Sequence, residues 1–261
     1  MDRRRSVLLS ENDVSLDQTA QVSVPIVDLL ARPNGPRDRQ LLLGAEVSVH
    51  QRAEGFAYIQ SKADGYVGYV DEAALAEYVA PDRSVITRAT HAYSEADLKS
   101  PETCRLSFGA AVHAIGTSNE FTETAHGFIP SLHLAPQDEV EPNLAAIARL
   151  FLGTPYLWGG NSTDGIDCSG LVQAILRRAG QDCPGDSDMQ EAELGRTLTE
   201  TTRLTLGDLL FWKGHVAMVL NDKTLIHANG YHMAVVEEAI DTAIARIENS
   251  GGGPVTRRAR L

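Results

Sequence analysis

The sequence predicts two small β-barrels followed by an α+β domain, and three observations support this. Short strand-like runs broken by turn residues fill residues 21–78, and the theme recurs over 79–134. Apolar residues at helical spacing first appear after residue 143, on both sides of a glycine-rich loop. Strand-like runs return over residues 206–238. We therefore expect three domains, over residues 1–78, 79–136 and 137–261.

Composition excludes several classes of protein. The chain has 261 residues, of which 43% are hydrophobic, and a net charge of −12. An acidic chain is unsuited to non-specific nucleic-acid or membrane-surface binding, and no run of about 18 apolar residues predicts a membrane span. Three cysteines without CxxC spacing predict neither a disulfide framework nor a structural zinc site. The start, MDRRRSVLLSEND, lacks the apolar core of a secretory signal, so we expect a cytoplasmic protein.

The two barrels are predicted from repeated strand runs. The first copy contains VSVPIVDLL, QLLLGAEVSVHQ, FAYIQ and GYVGYV, and the second contains SVITRATHAY, CRLSFGAAVHAIG and AHGFIPSLHL. Residues 43–47 align loosely with 108–112, and residues 68–70 with 127–129. Two copies of one small barrel is the simplest interpretation, and a barrel alone indicates a binding module more readily than an enzyme.

The α+β domain begins after an exposed linker, APQDEVEPN, with Asn143 as the predicted cap of a first helix. The apolar stripe of that helix is Leu144, Ile147, Ala148, Phe151 and Leu152. Three antiparallel strands are predicted from LLFWKGHVAMVL, TLIHANG and HMAVVEEA. A last helix carries Ile240, Ile244 and Ile247, and PVTRRARL either closes the sheet or forms a basic tail.

Residues 153–170, GTPYLWGGNSTDGIDCSG, bring Cys168 to the first turn of a second helix. Unpaired N–H groups and the helix dipole favour an anion there, which predicts a thiol pKa lowered toward neutrality when a histidine also approaches. Tyr156 and Trp158 on the loop offer a hydroxyl and a flat apolar wall. A lone cysteine is nevertheless most often a small buried hydrophobe. A catalytic interpretation therefore needs a base.

Two histidines supply a candidate base and its partner. If Asn221-Asp222-Lys223 form a three-residue turn, His215 faces Asn229 and lies diagonal to His227 on one sheet face. A two-residue turn puts the histidines on opposite faces. Cys168 as nucleophile, His215 as base and His227 as orienting group is one interpretation. Two other interpretations are that the histidines are ordinary sheet residues, or that they form a zinc site with one open position. The position of the cysteine at a helix start favours the interpretation as a nucleophile, which needs no metal or cofactor.

Four motifs resemble the NlpC-type cysteine peptidases of bacterial cell-wall peptides. They are Tyr156-Leu157-Trp158-Gly159-Gly160, Asp167-Cys168-Ser169-Gly170-Leu171, Gly207-Asp208-Leu209 and His215-Val216-Ala217. The resemblance covers residues 143–261 and implies a papain-like α+β fold. With two barrels similar to bacterial SH3 domains, the chain resembles the YkfC-like γ-D-glutamyl-L-diamino-acid endopeptidases, which recycle wall fragments in the cytoplasm.

The resemblance also implies site residues and a substrate. The catalytic set is Cys168, His215 and His227, with Tyr156 beside the oxyanion site; the residues implied to line the pocket are Trp158, Asp167, Ser169 and Ser187. The implied partner is a small wall-derived peptide with a free N-terminal L-Ala, cut after γ-D-Glu. First-barrel candidates for holding its amine are Asp38, Glu46, Tyr66 and Tyr69. Two alternatives are a thiol amidase or acyltransferase on another small substrate, and a catalytically silent wall-fragment binder.

Overall fold

The computed structural model describes residues 18–261, so the prediction that the chain starts without a secretory segment lies outside the described residues. The chain forms two compact units. The first extends to Glu139 and includes residues 161–163, and the second comprises residues 140–160 and 164–261. Within residues 18–261 no helix is long and apolar enough to cross a membrane. The boundaries predicted at residues 78 and 136 stay a prediction.

The first half of the first unit is one antiparallel sheet in the order β3-β2-β6-β5-β4-β1-β7. Its strands are β1 (Gln18–Val22), β2 (Ile26–Leu30), β3 (Arg37–Leu42), β4 (Glu46–Ala53), β5 (Phe56–Ser61), β6 (Val67–Asp71) and β7 (Leu75–Glu77). Side chains that alternate along these strands fill a closed core; among its fully buried members are Val22, Leu29, Val47, Val49 and Ile59.

The second half of the first unit forms a five-stranded and a three-stranded sheet around another core. Its strands are β8 (Arg83–Val85), β9 (Ala89–Tyr93), β10 (Glu102–Ser107), β11 (Ala111–Val112), β12 (Gly116–Ser118), β13 (Phe121–Thr124), β14 (Gly127–Pro130) and β15 (Leu134–Pro136). The short strand β16 (Asn161–Ser162) completes the unit.

The loose sequence repeat has a counterpart in the backbone hydrogen bonds. Gly44 N–H donates to the Val22 carbonyl at 2.9 Å, and Gly109 N–H donates to the Val85 carbonyl at 2.9 Å. Both glycines have positive φ, +79° and +83°, which favours glycine over any residue with a Cβ. Each half also ends in a 3₁₀ turn followed by a three-residue strand. The aligned segments 43–47 and 108–112 therefore form the same turn.

The second unit is an antiparallel sheet in the order β18-β23-β19-β20-β21-β22 with four helices. Its elements in chain order are α1 (Leu144–Leu150), β17 (Gly165–Ile166), α2 (Cys168–Arg178), α3 (Ser187–Glu193), β18 (Arg196–Thr197), β19 (Leu209–Trp212), β20 (His215–Val219), β21 (Thr224–Asn229), β22 (Ala234–Ala239), α4 (Ile240–Ile247) and β23 (Arg257–Arg260). Helix α2 packs against β20 and β21, which sets the position of its first residue relative to the sheet.

Helix α1 begins as predicted and ends earlier. Asn143 Oδ1 accepts a hydrogen bond from the Ala146 N–H at 3.1 Å, which is the predicted cap. Ile147 and Phe151 are buried, but Leu152 is 37% exposed. The prediction of Leu152 in the apolar stripe is wrong because the helix ends at Leu150 and the helical spacing no longer applies.

The prediction of three strands after residue 206 is also wrong, because LLFWKGHVAMVL forms two. Strands β19 and β20 form a hairpin in which Trp212 pairs with His215. Lys213 and Gly214 make the turn, and Gly214 has a φ of +74°. Of the two alternatives for PVTRRARL, the segment joins the sheet, since β23 pairs with both β19 and β18.

A buried ion pair fastens β23 to the sheet. Arg260 donates to both carboxylate oxygens of Asp208, at 2.8 and 2.7 Å. The Asp208 side chain is 1% exposed and that of Arg260 is 29% exposed. Burial alone raises the pKa of Asp208, but hydrogen bonds from Arg260 and Thr205 bring it below its ordinary value. Asp208, one of the predicted motif residues, thus has a structural role.

Candidate active site

Cys168 lies in the first turn of α2, as predicted, and is the first residue of that helix. Asp167 caps the helix, and its Oδ1 accepts a hydrogen bond from the Gly170 N–H at 2.7 Å. The helix has an apolar stripe that is buried throughout and fixes it on the sheet; the stripe consists of Leu171, Val172, Ile175 and Leu176. Cys168 itself is 7% exposed.

The loop before Cys168 requires glycine at specific positions. A Cβ on Gly160 would lie 2.4 Å from the Gly165 carbonyl oxygen, closer than any side chain can approach. Gly159 has a φ of +71°, and its N–H donates to Asp167 Oδ2 at 2.9 Å. The same carboxylate therefore caps α2 and holds the loop against the start of the helix.

The two predicted histidines meet on one face of the sheet. Strands β20 and β21 pair Met218 with Ile226, and the same register carried along both strands sets His215 opposite Asn229. The connecting turn is residues 221–223, as the prediction required. His215 Nε2 lies 2.9 Å from His227 Nδ1. The expectation that both imidazoles share a face is confirmed.

The hydrogen-bonded chain continues beyond His227, into residues that the sequence analysis missed. His227 Nε2 lies 3.1 Å from Glu238 Oε2. Arg246 donates to both oxygens of Glu238, at 3.0 and 2.7 Å. The Tyr231 ring lies over the Arg246 guanidinium, 4.7 Å from ring centre to Cζ. The strand register could have indicated Glu238, since this residue is two positions along β22 from Val236, the cross-strand partner of His227, and therefore lies on the same face.

Burial sets the protonation states of the site. The pKa of the Cys168 thiol is raised to about 12, first by burial and then by the neighbouring Asp167 charge, although hydrogen bonds from the backbone N–H groups of Val216, Ser169 and Cys168 itself lower it. Burial likewise lowers the pKa of His215 to about 3 and that of His227 to about 4. The thiol and both imidazoles are therefore neutral at rest. The expectation of a thiol pKa near neutrality is wrong, because desolvation outweighs the helix dipole.

Three of the predicted pocket residues lie close to Cys168: Asp167 and Ser169 are its neighbours in the chain, and Tyr156 interacts electrostatically with the thiol. Tyr156 is half-buried, and its pKa is raised by burial and then by the Cys168 and Asp167 charges, which places its ring near both. Ser169 Oγ donates to Asp167 Oδ1 at 3.1 Å. Trp158 lies on the same loop and is 70% exposed.

The remaining candidates lie in other elements. Ser187 is the first residue of α3, which packs against β20. In the first unit, Tyr66 is buried with the Arg39 guanidinium 5.3 Å from its ring centre. The other first-barrel candidates are partly buried; they are Asp38, Glu46 and Tyr69.

One group of possible metal ligands occurs among the residues of 18–261. His227, His232 and Glu238 have ligand atoms within 4.8 Å of one another, and Cys168 is not among them. Arg246 already donates to both oxygens of Glu238, so a cation bound there would lie beside a guanidinium of the same charge.

Comparison with protein families gives two matches. Residues 153–247 match the NlpC/P60 family, and residues 29–75 match the bacterial dipeptidyl-peptidase SH3 domain. Dipeptidyl-peptidase 6 of Lysinibacillus sphaericus is 36% identical over 99 residues, which cover 37% of this chain and 35% of that protein. The γ-D-glutamyl-L-lysine dipeptidyl-peptidase of Bacillus subtilis is 38% identical over 104 residues, which cover 36% of this chain and 34% of that protein. The match thus spans about a third of the length of these relatives.

A solved structure matches most of the chain. An NlpC/P60 family protein from Bacillus cereus superposes with a TM-score of 0.76 over 93% of this chain and 99% of that chain, at 20% sequence identity. At this identity the likeness is one of fold. The predicted fold class, an SH3-like all-β region before a papain-like α+β domain, is confirmed.

Proposed function

Because the chain combines a bacterial dipeptidyl-peptidase SH3 domain with an NlpC/P60 domain, we propose that it is a cysteine endopeptidase of cell-wall-derived peptides. The bond cut is the one between γ-D-Glu and a diamino acid. The observation that carries the proposal is the His215–His227 pair, whose ring nitrogens lie 2.9 Å apart, together with the Cys168 sulfur, which accepts a hydrogen bond from the Val216 N–H beside His215. A relative named γ-D-glutamyl-L-lysine dipeptidyl-peptidase supports the choice of bond.

Cys168 attacks the γ-carbonyl carbon of the substrate, and His215 takes the thiol proton. Since thiol and imidazole are both neutral at rest, the proton moves as the S–C bond forms. The Cys168 N–H at the start of α2 and the nearby Tyr156 hydroxyl are the candidate donors to the oxyanion. Negative charge therefore develops where donors already lie.

The intermediate collapses when the C–N bond breaks. His215 gives its proton to the leaving amine of the diamino acid, and a thioester to Cys168 stays behind. Water then attacks the thioester carbon while His215 accepts its proton. Breaking the C–S bond returns that proton to sulfur and releases L-Ala-γ-D-Glu. His227 holds the His215 ring through both steps.

Asp167 is the candidate partner of the substrate ammonium. Its two oxygens accept three hydrogen bonds, from the N–H groups of Gly159 and Gly170 and from Ser169 Oγ. A carboxylate accepts about four, so one position is available to an ammonium. Ser169 and Ser187 are the proposed donors to the D-Glu α-carboxylate, and the exposed face of Trp158 the wall of the pocket.

We further propose that the substrates are short peptides of murein recycling in the cytoplasm. All three cysteines are free thiols, which suits a reducing compartment.

Mass spectrometry of the products tests the proposal. The purified chain is incubated with L-Ala-γ-D-Glu-meso-diaminopimelate and with the same peptide acetylated at its amine. We expect L-Ala-γ-D-Glu from the free peptide alone. Cys168→Ala should abolish release, and Cys104→Ala, a partly buried cysteine of the first unit, should retain it.

Two results would overturn the proposal. Turnover by Cys168→Ala removes the nucleophile from the reaction. An intact peptide, with Cys168 reduced and alkylated by iodoacetamide at alkaline pH, moves the function to amide hydrolysis or acyl transfer on another small substrate.

A further inference from the structure

The two adjacent glutamates of β22 have different environments. Glu237 pairs with Arg149 at 2.8 Å, and these side chains are 32% and 52% exposed. Glu238, whose side chain is 11% exposed, lies between Arg246 and His227. Because side chains alternate along a strand, one glutamate faces solvent and the other faces the histidine pair. The second has no role in the mechanism above.

We infer that Glu238, held by Arg246, is a positioning residue that fixes which ring nitrogens of His227 and His215 carry protons. An ionised carboxylate only accepts hydrogen bonds, so the proton of neutral His227 is on Nε2. His227 Nδ1 is then an acceptor, and His215 Nε2 must donate to it. The nitrogen of His215 with an available lone pair is Nδ1, which is the one that can take the thiol proton.

The opposite arrangement cannot support catalysis. If His227 carries its proton on Nδ1, it donates to His215 Nε2. His215 then carries its own proton on Nδ1 and has no lone pair left for the thiol. Both arrangements keep the 2.9 Å contact between the rings, so that contact alone does not choose between them. The acceptor at the far side of His227 makes the choice.

Every charged or titratable group that faces His227 is consistent with this assignment. They are His215 on β20, His232 in the loop after β21, Glu238 on β22 and Arg246 on α4. The hydrogen bond from Arg246 is the largest cause that lowers the pKa of Glu238 below its ordinary value, so Glu238 is ionised at neutral pH. Tyr231 covers the guanidinium.

Nuclear magnetic resonance reads the proton positions directly. In ¹⁵N–¹H correlation spectra of the labelled full chain at neutral pH, we expect His215 and His227 each to carry the proton on Nε2. Glu238→Gln keeps the shape of the side chain but adds an amide donor, so we expect a mixture of tautomers in that variant. Glu237→Gln is the matched control and should leave the wild-type pattern.

Peptide kinetics adds a second readout, which rests on the proposed function. We expect kcat of Glu238→Gln to fall about 100-fold with KM unchanged, because general-base catalysis contributes 10²–10⁴-fold and Glu238 is not a proposed substrate contact. Glu237→Gln should cleave at the wild-type rate. A merely structural role for Glu238 would change kcat without moving the tautomers.

The outcomes separate the two proposals. Proton on Nδ1 of either histidine in the wild-type chain overturns the inference, and this result needs no variant to fold. Identical tautomers in wild type and Glu238→Gln overturn it as well. If the tautomers are as expected but the wild-type chain does not cleave the peptide, the proposed function fails and the positioning role stands.

Discussion

Lowering the pH from 8 to 5 should remove about 4 kcal/mol from the free energy of unfolding of the second unit, through His215 and His227, which are neutral in the folded chain. Their folded pKa values are lowered to about 3 for His215 and about 4 for His227. An unfolded histidine has a pKa of about 6.5. A lowered folded pKa gives stability that is complete above pH 6.5 and is lost as the pH falls toward the folded value. Because pH 5 lies about 1.5 units below the unfolded pKa, the stabilisation that each histidine contributes falls there by about 2 kcal/mol.

Urea unfolding followed by tryptophan fluorescence measures this loss. The chain has two tryptophans, Trp158 and Trp212, and both lie in the second unit. With a urea slope of about 2 kcal/mol/M, the midpoint should fall by about 2 M. Most carboxylates stay ionised at pH 5, so the histidines dominate this window.

Two variants serve as controls. His232→Asn, which changes an exposed histidine, should keep the full loss. Replacing both His215 and His227 with Asn should remove it. Equal wild-type midpoints at pH 8 and pH 5, with an unchanged slope, would refute the reasoning, because the folded histidines would then already be charged at pH 5.

Three further predictions concern the thiol, the loop and the carboxyl-terminal strand. The rate of Cys168 alkylation by iodoacetamide should rise about tenfold per pH unit between pH 6 and 9, as for a neutral thiol; a plateau there, by peptide mapping, would indicate a preformed thiolate. Gly160→Ala should lower kcat/KM at least about tenfold because its Cβ would meet a carbonyl at 2.4 Å, whereas Gly230→Ala, in open space, should match wild type. Arg260→Met should lower the urea midpoint more than Asp208→Ala. The first variant leaves without its counter-ion a carboxylate that is 1% exposed, whereas the second leaves a guanidinium that water can reach. The reverse ranking would contradict the burial argument.

Much of the site could be predicted from the sequence because it follows from local rules. Helix α2 follows from the apolar residues at helical spacing after the glycine-rich loop, which place Cys168 in its first turn. The histidine pair follows from a strand period of two and a turn of three residues. In both cases the decisive residues are close together in the chain.

The rest depends on burial and on distant contacts. The hairpin at Lys213 and Gly214 was missed because β19 and β20 are almost wholly buried, so no polar alternation marks the break. The thiol pKa depends on how much protein covers Cys168, which no local pattern gives. The link from His227 to Glu238 and Arg246 requires the position of α4 relative to the sheet.

The place of β23 in the sheet bears on how the second unit matures during synthesis. This strand is the last described element of the chain, yet it lies between β18 and β19. While the ribosome has not yet released residues 257–260, β19 has an open edge and Asp208 has no cation beside it. The nascent unit therefore holds its candidate nucleophile and both histidines before β23 has joined the sheet. A chain that terminates before residue 257 keeps every candidate catalytic residue. It also has an open β19 edge and a buried carboxylate without its counter-ion, which destabilise the folded unit and expose the chain to proteolysis.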